Sequence, residues 1–119
     1  MVATDAPLLP NQLERVARRA TLGLARTGTI AAHSSGDFAL AFSTAAEVPH
    51  DPESGTMAIT ALNNAAISPL FAATVEATEE AFGNALTMAT TTVGRDGHKV
   101  YALPLDRLKA IMKARGGSK

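Results

Sequence analysis

The sequence contains no cysteine and no tryptophan, and aromatic residues make up only 4% of its 119 residues. The absence of cysteine excludes a disulfide framework, a thiol nucleophile and a cysteine-ligated zinc site. The 11 Lys and Arg residues balance the 11 Asp and Glu residues, so no net charge favours nucleic acid or an anionic membrane surface. These absences predict a protein that binds neither nucleic acid nor membranes.

The chain also lacks long apolar runs. No segment approaches the roughly 20 apolar residues that a membrane-spanning helix needs, and the N-terminus "MVATDAPLLP" lacks the basic and apolar regions of a secretory signal. We therefore expect a soluble, cytoplasmic protein. Its hydrophobic content of 46% is mostly small and aliphatic, which favours close packing between elements over a large ligand cavity. A chain of 119 residues fits one domain, residues 1–119, and nothing in its composition indicates a cofactor.

Three segments have the spacing of amphipathic helices. The first begins near Pro10, with either Pro10 as the first helical residue or Asn11 as the N-cap. The second begins at the N-cap Ser68 and ends in the turn at Gly94. The third is Pro104–Ala114. The apolar residues that we expect this last helix to bury are Leu105, Leu108, Ile111 and Met112.

Two further segments alternate with the period of a β-strand. Leu22–Ile30 and Phe38–Ser43 flank a short turn that contains Gly36, which predicts a β-hairpin covered on both faces. Thr56–Leu62 is a candidate third strand, after a proline-rich loop at residues 46–55. Early strands with helices around them indicate a layered α/β fold.

A hydroxyl and a carboxylate lie two residues apart at the tip of this hairpin, on Ser35 and Asp37. Such a pair can act on a bound substrate, and Ser35 can be imagined as a nucleophile itself. Ser, Gly and Asp are also typical turn residues whose side chains bind their own backbone, and spacing alone favours that interpretation. His33 lies beside the pair, but a catalytic triad requires convergence in space, so we interpret His33 as an exposed loop residue.

Arg26 falls in the apolar register of the first predicted strand. A buried arginine must pair with a carboxylate or a substrate anion, whereas an arginine at a strand edge faces solvent. The pattern leaves both interpretations open. Pairing with Asp37 across the hairpin is geometrically feasible.

Two other patterns resemble binding sites, but neither has the residues that such a site requires. Glu76, Glu79 and Glu80 lie on the second helix, but none has a histidine three or four residues away, so we expect a solvated face and no metal site. The glycine-containing segment Gly94–His98 lacks the lysine and the length of a phosphate-binding loop, so we interpret it as a turn that ends the helix.

Four sequence segments, taken together, are more specific for a protein family than any single motif. In order they are "ATDAPLLPNQLERVARRA", "GLARTGTI…SSGDFALAFSTA", "SPLFAATVEATEEAFGNAL" and "GRDGHKVYALPLDRL". From Val2 to Leu108 the chain resembles the self-processing serine aminopeptidase family, the L-aminopeptidase/D-amidase-esterase and β-peptidyl aminopeptidase group. The resemblance implies part of an αββα sandwich, similar to the N-terminal-nucleophile hydrolases. It also implies a precursor that cleaves itself into two subunits, whose new N-terminal serine attacks amide or ester bonds of substrates with a free amine.

The same resemblance assigns roles to the residues of the turn. Ser35 and Asp37 match the family's serine and acidic residue that assist the nucleophile, which reverses the preference for a purely structural turn. Either aspartate or glutamate serves as the acidic residue. The resemblance assigns no role to Arg26, which we expect to contact this pair without touching the substrate.

The nucleophilic serine of the family would lie a few residues before Met1. We therefore expect the chain to be the C-terminal portion of the smaller subunit, and the isolated chain to be inactive. The resemblance implies a peptide or aminoacyl amide or ester substrate, the larger subunit of the same precursor as a partner, and a homo-oligomer. The alternative is a non-catalytic α/β assembly or regulatory module derived from the same family.

Overall fold

The structure is a computed structural model that describes residues 1–51 and 54–116. The chain divides into two compact units, Met1–Glu79 and Glu80–Lys119, with the boundary inside one long helix. The first unit contains β1 (Val2–Thr4), α1 (Pro10–Arg26), β2 (Ala41–Ser43), a 3-10 turn (Asn64–Ala66) and the first part of α2 (Ser68–Met88). The second contains the rest of α2, then β3 (Thr92–Val93), a 3-10 turn (Arg95–Gly97), β4 (Lys99–Val100) and α3 (Leu105–Ala114).

In the first unit β1 and β2 form a parallel pair, with Ala3 opposite Phe42. Parallel strands need a crossover connection, which α1 provides between them. The α/β class expected from the sequence is confirmed, but this pair is parallel, whereas the sequence predicts an antiparallel hairpin. The core lies between the strands and the helices, and its buried apolar residues are Val16, Ala17, Ala20 and Ile67.

Pro10 is the first residue of α1 and Leu9 its N-cap, so the structure selects the first of the two predicted helix starts. The buried Gln12 completes the cap, since its Oε1 accepts a hydrogen bond from the Leu9 N–H at 2.9 Å. Its Nε2 donates to the Leu62 carbonyl at 2.8 Å and to Asn64 Oδ1 at 3.1 Å. One buried amide therefore connects the start of α1 to the segment that precedes α2.

The predicted strand Leu22–Ile30 is wrong, because α1 continues to Arg26. The residues that alternate with period two in this segment also continue, at helical spacing, the buried face formed by Val16 and Ala20. Packing of this segment against α2 favours the helix over the strand. Phe38–Ser43 is a strand only at Ala41–Ser43, so the predicted hairpin does not form. Phe38 is 95% exposed rather than covered.

The candidate strand Thr56–Leu62 is also wrong, since no residue of this segment belongs to a strand. Its alternating pattern has no neighbouring strand to pair with among the described residues, and the Leu62 N–H instead donates to the Pro7 carbonyl at 2.7 Å. The described part of the predicted loop at residues 46–55 contains neither helix nor strand, and residues 52–53 lie outside the described part of the chain.

The α2 helix begins within one residue of the prediction, with Ser68 as its first residue and not its N-cap. It ends at Met88 and not at Gly94. After it, β3 and β4 form a short antiparallel hairpin. The α3 helix is confirmed over Leu105–Ala114, but its predicted burial is wrong, because too little of the described chain packs on its apolar face. The exposed fractions there are 37% for Leu105, 47% for Ile111 and 50% for Met112.

Candidate active site

The segment that follows α1 carries the hydroxyl–carboxylate pair. The Thr27 hydroxyl ends the helix by donating to the Leu24 carbonyl at 2.7 Å, and the Gly28 N–H donates to the Ala25 carbonyl at 3.1 Å. Gly28 has a φ of 102°, a left-handed conformation that favours glycine. The glycine therefore lets the chain leave the helix sharply, directly before the loop at residues 29–37.

This loop contains two non-glycine residues in the left-handed region, Ala31 with a φ of 46° and Ser34 with a φ of 78°. The Ser35 N–H donates to the Ala32 carbonyl at 2.8 Å and closes a turn around Ser34. Left-handed conformations cost L-residues about 1–2 kcal/mol each and are concentrated at functional sites. The strained turn places the Ser35 and Asp37 side chains at the surface.

Ser35 and Asp37 contact each other directly. The Ser35 hydroxyl donates a hydrogen bond to Asp37 Oδ2 at 2.7 Å, a distance typical of an O–H donor to a carboxylate. Because the single hydroxyl proton is used in this way, the Ser35 lone pairs remain free to accept a second donor. The pair is therefore arranged to accept a hydrogen bond at Ser35, while the Ser35 proton stays bonded to the Asp37 carboxylate.

The pair lies at the edge of a depression of about 450 Å³. The end of α1 and the start of the loop form its other walls, which are apolar except for two hydroxyls. These lining residues are Thr21, Leu22, Leu24, Ala25, Thr29, Ile30 and Ala31. A polar pair beside an apolar surface is the usual composition of a small-molecule binding site.

Arg26 is the last residue of α1 and not part of a strand, so both interpretations that placed it in a strand register are wrong. Its Nη1 lies 3.2 Å from Glu79 Oε2 on α2, and both side chains are about half exposed. The feasible pairing with Asp37 does not form: the Arg26 guanidinium lies against Glu79, and Asp37 accepts from Ser35. Sequence reasoning missed Glu79 as the partner, since nothing local relates residues 53 positions apart.

The remaining candidate residues lie elsewhere. His33 is exposed in the same loop, and the glycine segment Gly94–His98 forms the connection between β3 and β4. Within residues 1–51 and 54–116, no group of three or more His, Asp or Glu side chains is arranged to hold a metal ion. None of the helices described is both long and apolar enough to cross a membrane.

Comparison with known proteins places this chain in a family. The model of peptidase family S58 matches residues 1–100. The β-peptidyl aminopeptidase BapA of Sphingosinicella xenopeptidilytica is 47% identical over 116 residues, which cover 97% of this chain and 29% of that protein. The BapA of Sphingosinicella microcystinivorans is 39% identical over 113 residues, covering 95% of this chain and 28% of the relative. The chain therefore spans less than a third of the curated relatives that it matches.

Solved structures agree with these sequence matches. The PH0078 protein of Pyrococcus horikoshii OT3 superposes with a TM-score of 0.84 at 54% identity, over 94% of this chain and 31% of that one. A β-aminopeptidase of Burkholderia sp. superposes with a TM-score of 0.84 at 40% identity, over 98% of this chain and 35% of that one.

A third solved structure is the L-aminopeptidase D-Ala-esterase/amidase of Ochrobactrum anthropi, described as a prototype for the serine aminopeptidases with a new variant of the Ntn hydrolase fold. It superposes with a TM-score of 0.83 at 35% identity, over 94% of this chain and 32% of that one. The α/β fold class and the family resemblance predicted from the sequence are thus confirmed. The chain is a member of peptidase family S58.

Proposed function

We propose that this chain supplies the Ser35–Asp37 pair to the active site of an aminopeptidase. The enzyme hydrolyses N-terminal residues from peptides, amides or esters, and its nucleophile is an N-terminal serine outside residues 1–119. The observation that carries the proposal is the 2.7 Å hydrogen bond from the Ser35 hydroxyl to Asp37, at the edge of the apolar depression. Membership of a peptidase family with aminopeptidase relatives supports the reaction class.

The chemistry follows from acyl transfer. The hydroxyl oxygen of the nucleophilic serine attacks the substrate carbonyl, and its proton passes to the α-amine of the same residue, which titrates near neutral pH. Collapse of the tetrahedral intermediate breaks the amide or ester bond, and the protonated amine returns the proton to the leaving group. Water then hydrolyses the acyl-serine ester by the same proton path.

In this scheme Ser35 accepts a hydrogen bond from the attacking hydroxyl or from the protonated α-amine. Its own proton remains directed at Asp37, and the carboxylate stabilises the positive charge that develops on the amine. The pair orients the nucleophile and requires neither metal nor cofactor. Arg26 does not touch the reacting atoms.

The partner in this proposal is the rest of the precursor. Apolar side chains near the pair are open to solvent, with Ile30 87% and Phe38 95% exposed, and Leu40 59% exposed. Exposed apolar patches of this kind mark interaction surfaces. We infer that the larger subunit covers them and that such heterodimers assemble into an oligomer. A monodisperse monomer of residues 1–119 in light scattering would argue against this arrangement.

The test is hydrolysis of aminoacyl anilides by the full-length protein that contains this chain. Alanyl and β-alanyl p-nitroanilides should be cleaved, whereas the N-acetylated alanyl anilide should not, because the reaction requires a free amine. Residues 1–119 alone should show no turnover. A full-length protein that cleaves none of these anilides would favour the non-catalytic module, and turnover by residues 1–119 alone would place the nucleophile within this chain.

A further inference from the structure

The C-terminal turns of α1 lie between α2 and the loop that carries the hydroxyl–carboxylate pair. Gly23 is buried against α2, where a β-carbon added to it would stand 2.6 Å from both Thr78 Cβ and the Val75 carbonyl oxygen. The backbone of α1 therefore lies too close to α2 for any β-carbon at Gly23. This contact fixes the position of α1 one turn before its end.

Arg26 provides the second contact, at the end of the helix. Its guanidinium Nη1 lies 3.2 Å from Glu79 Oε2. Glu79 follows Thr78 directly in α2, so the glycine contact and the ion pair lie on the same part of that helix. Two contacts three residues apart on α1 fix both the distance and the rotation of its last turn.

The same turn of α1 also forms part of the site. Leu22, Leu24 and Ala25 line the depression together with Ser35 and Asp37. Because Gly28 follows α1 within two residues, a shift of the helix end displaces the start of the loop at residues 29–37. A change in how α1 packs on α2 would therefore move the loop that carries Ser35 and Asp37.

We propose that Glu79 is a positioning residue, which holds Arg26 and through it sets the position of the Ser35–Asp37 pair. This inference rests on the proposed function for its effect on turnover, but its effect on the loop is independent of any activity. The proposal gives a role to a carboxylate that lies on α2, outside the loop that carries the pair.

The test compares Glu79→Gln with Glu76→Gln in the full-length protein. Glu76 is exposed on the same helix, three residues earlier, and provides a matched control for the loss of one carboxylate from α2. Hydrogen exchange of a peptide that covers residues 27–40 should be faster in Glu79→Gln than in the wild type, and unchanged in Glu76→Gln. For Glu79→Gln we expect kcat/KM to fall about two- to five-fold, the range that the coupling of a half-exposed ion pair allows, with the thermal midpoint lowered by no more than about 4 °C.

A double-mutant cycle separates positioning from a general structural effect. If Glu79 acts through Arg26, the Arg26→Gln/Glu79→Gln double variant loses no more activity and gains no more exchange than either single variant. Equal exchange in Glu79→Gln and Glu76→Gln, or effects in the double variant that are the sum of the single ones, would overturn the proposal. A wild-type protein without aminopeptidase activity would contradict the proposed function alone, because the exchange comparison still decides the role of Glu79.

Discussion

Gly23 on α1 and Thr78 on α2 lie in such close contact that no side chain fits between them. A β-carbon at Gly23 would stand 2.6 Å from Thr78 Cβ, well inside van der Waals contact. The sequence pattern predicts a strand at Gly23, but the glycine lies on the buried face of α1. In the structure it is the point at which α1 and α2 meet, and it determines where the end of α1 lies.

Substituting this glycine tests the contact. Gly23→Ala should lower the free energy of unfolding by about 1–3 kcal/mol, the usual cost of overpacking, although alanine is the better helix former. Gly83→Ala is the matched control, since Gly83 lies within α2 and a β-carbon there meets no atom within 4 Å. That control should raise stability by about 0.5–1 kcal/mol. Urea unfolding measures both, and equal stabilisation by both alanines would show that the helices do not approach closely at Gly23.

The buried amide of Gln12 gives a second prediction. Gln12 is 3% exposed and satisfies the Leu9 N–H, the Leu62 carbonyl and Asn64 Oδ1. Gln12→Ala removes the partner of the part-buried Leu9 N–H and Leu62 carbonyl, whereas Asn64 Oδ1 still accepts from Arg15 Nη1 at 2.9 Å. The free energy of unfolding should therefore fall by about 1–3 kcal/mol. Asn11→Ala, at an exposed neighbour, should change it by less than about 0.5 kcal/mol. A Gln12→Ala protein as stable as Asn11→Ala would contradict this account of the helix start.

The carboxylate of Asp37 should affect turnover rather than folding. Asp37→Asn keeps the size of the side chain but removes the negative charge that stabilises the protonated amine, so kcat should fall about 10- to 100-fold. Asp37→Glu retains the acceptor and should keep activity within about ten-fold of the wild type. Because Asp37 is exposed, neither change should move the thermal midpoint. Steady-state kinetics on an alanyl anilide decides this, and full activity in Asp37→Asn would refute the role of the charge.

Local signals in the sequence identified the helices well. Pro10 and Ser68 marked the starts of α1 and α2, and the spacing of apolar residues located α3, because caps and helical periodicity depend on residues close in sequence. The region around Leu22–Ile30 was assigned wrongly because small residues fit either period. There the contact of Gly23 with α2, a non-local interaction, selects the helix.

The site was predictable in part. Ser35 and Asp37 are two residues apart, so their hydrogen bond is a local property of the turn and could be anticipated. The Arg26–Glu79 pair joins residues 53 positions apart, and the exposure of the α3 apolar face depends on what packs against it. Neither follows from the pattern of a single sequence, since both depend on tertiary contacts.

The most direct test of the central claim is the effect of Ser35→Ala on turnover of an alanyl anilide by the full-length protein. The neighbouring Ser34→Ala is the control, because Ser34 has a hydroxyl in the same exposed turn but is not part of the pair. If the Ser35–Asp37 pair assists the nucleophile, Ser35→Ala lowers kcat/KM at least about 100-fold, as expected for loss of a preorganised hydrogen-bonding group at the reacting centre, while Ser34→Ala stays within about three-fold of the wild type. Equal activity of the two variants would contradict the account.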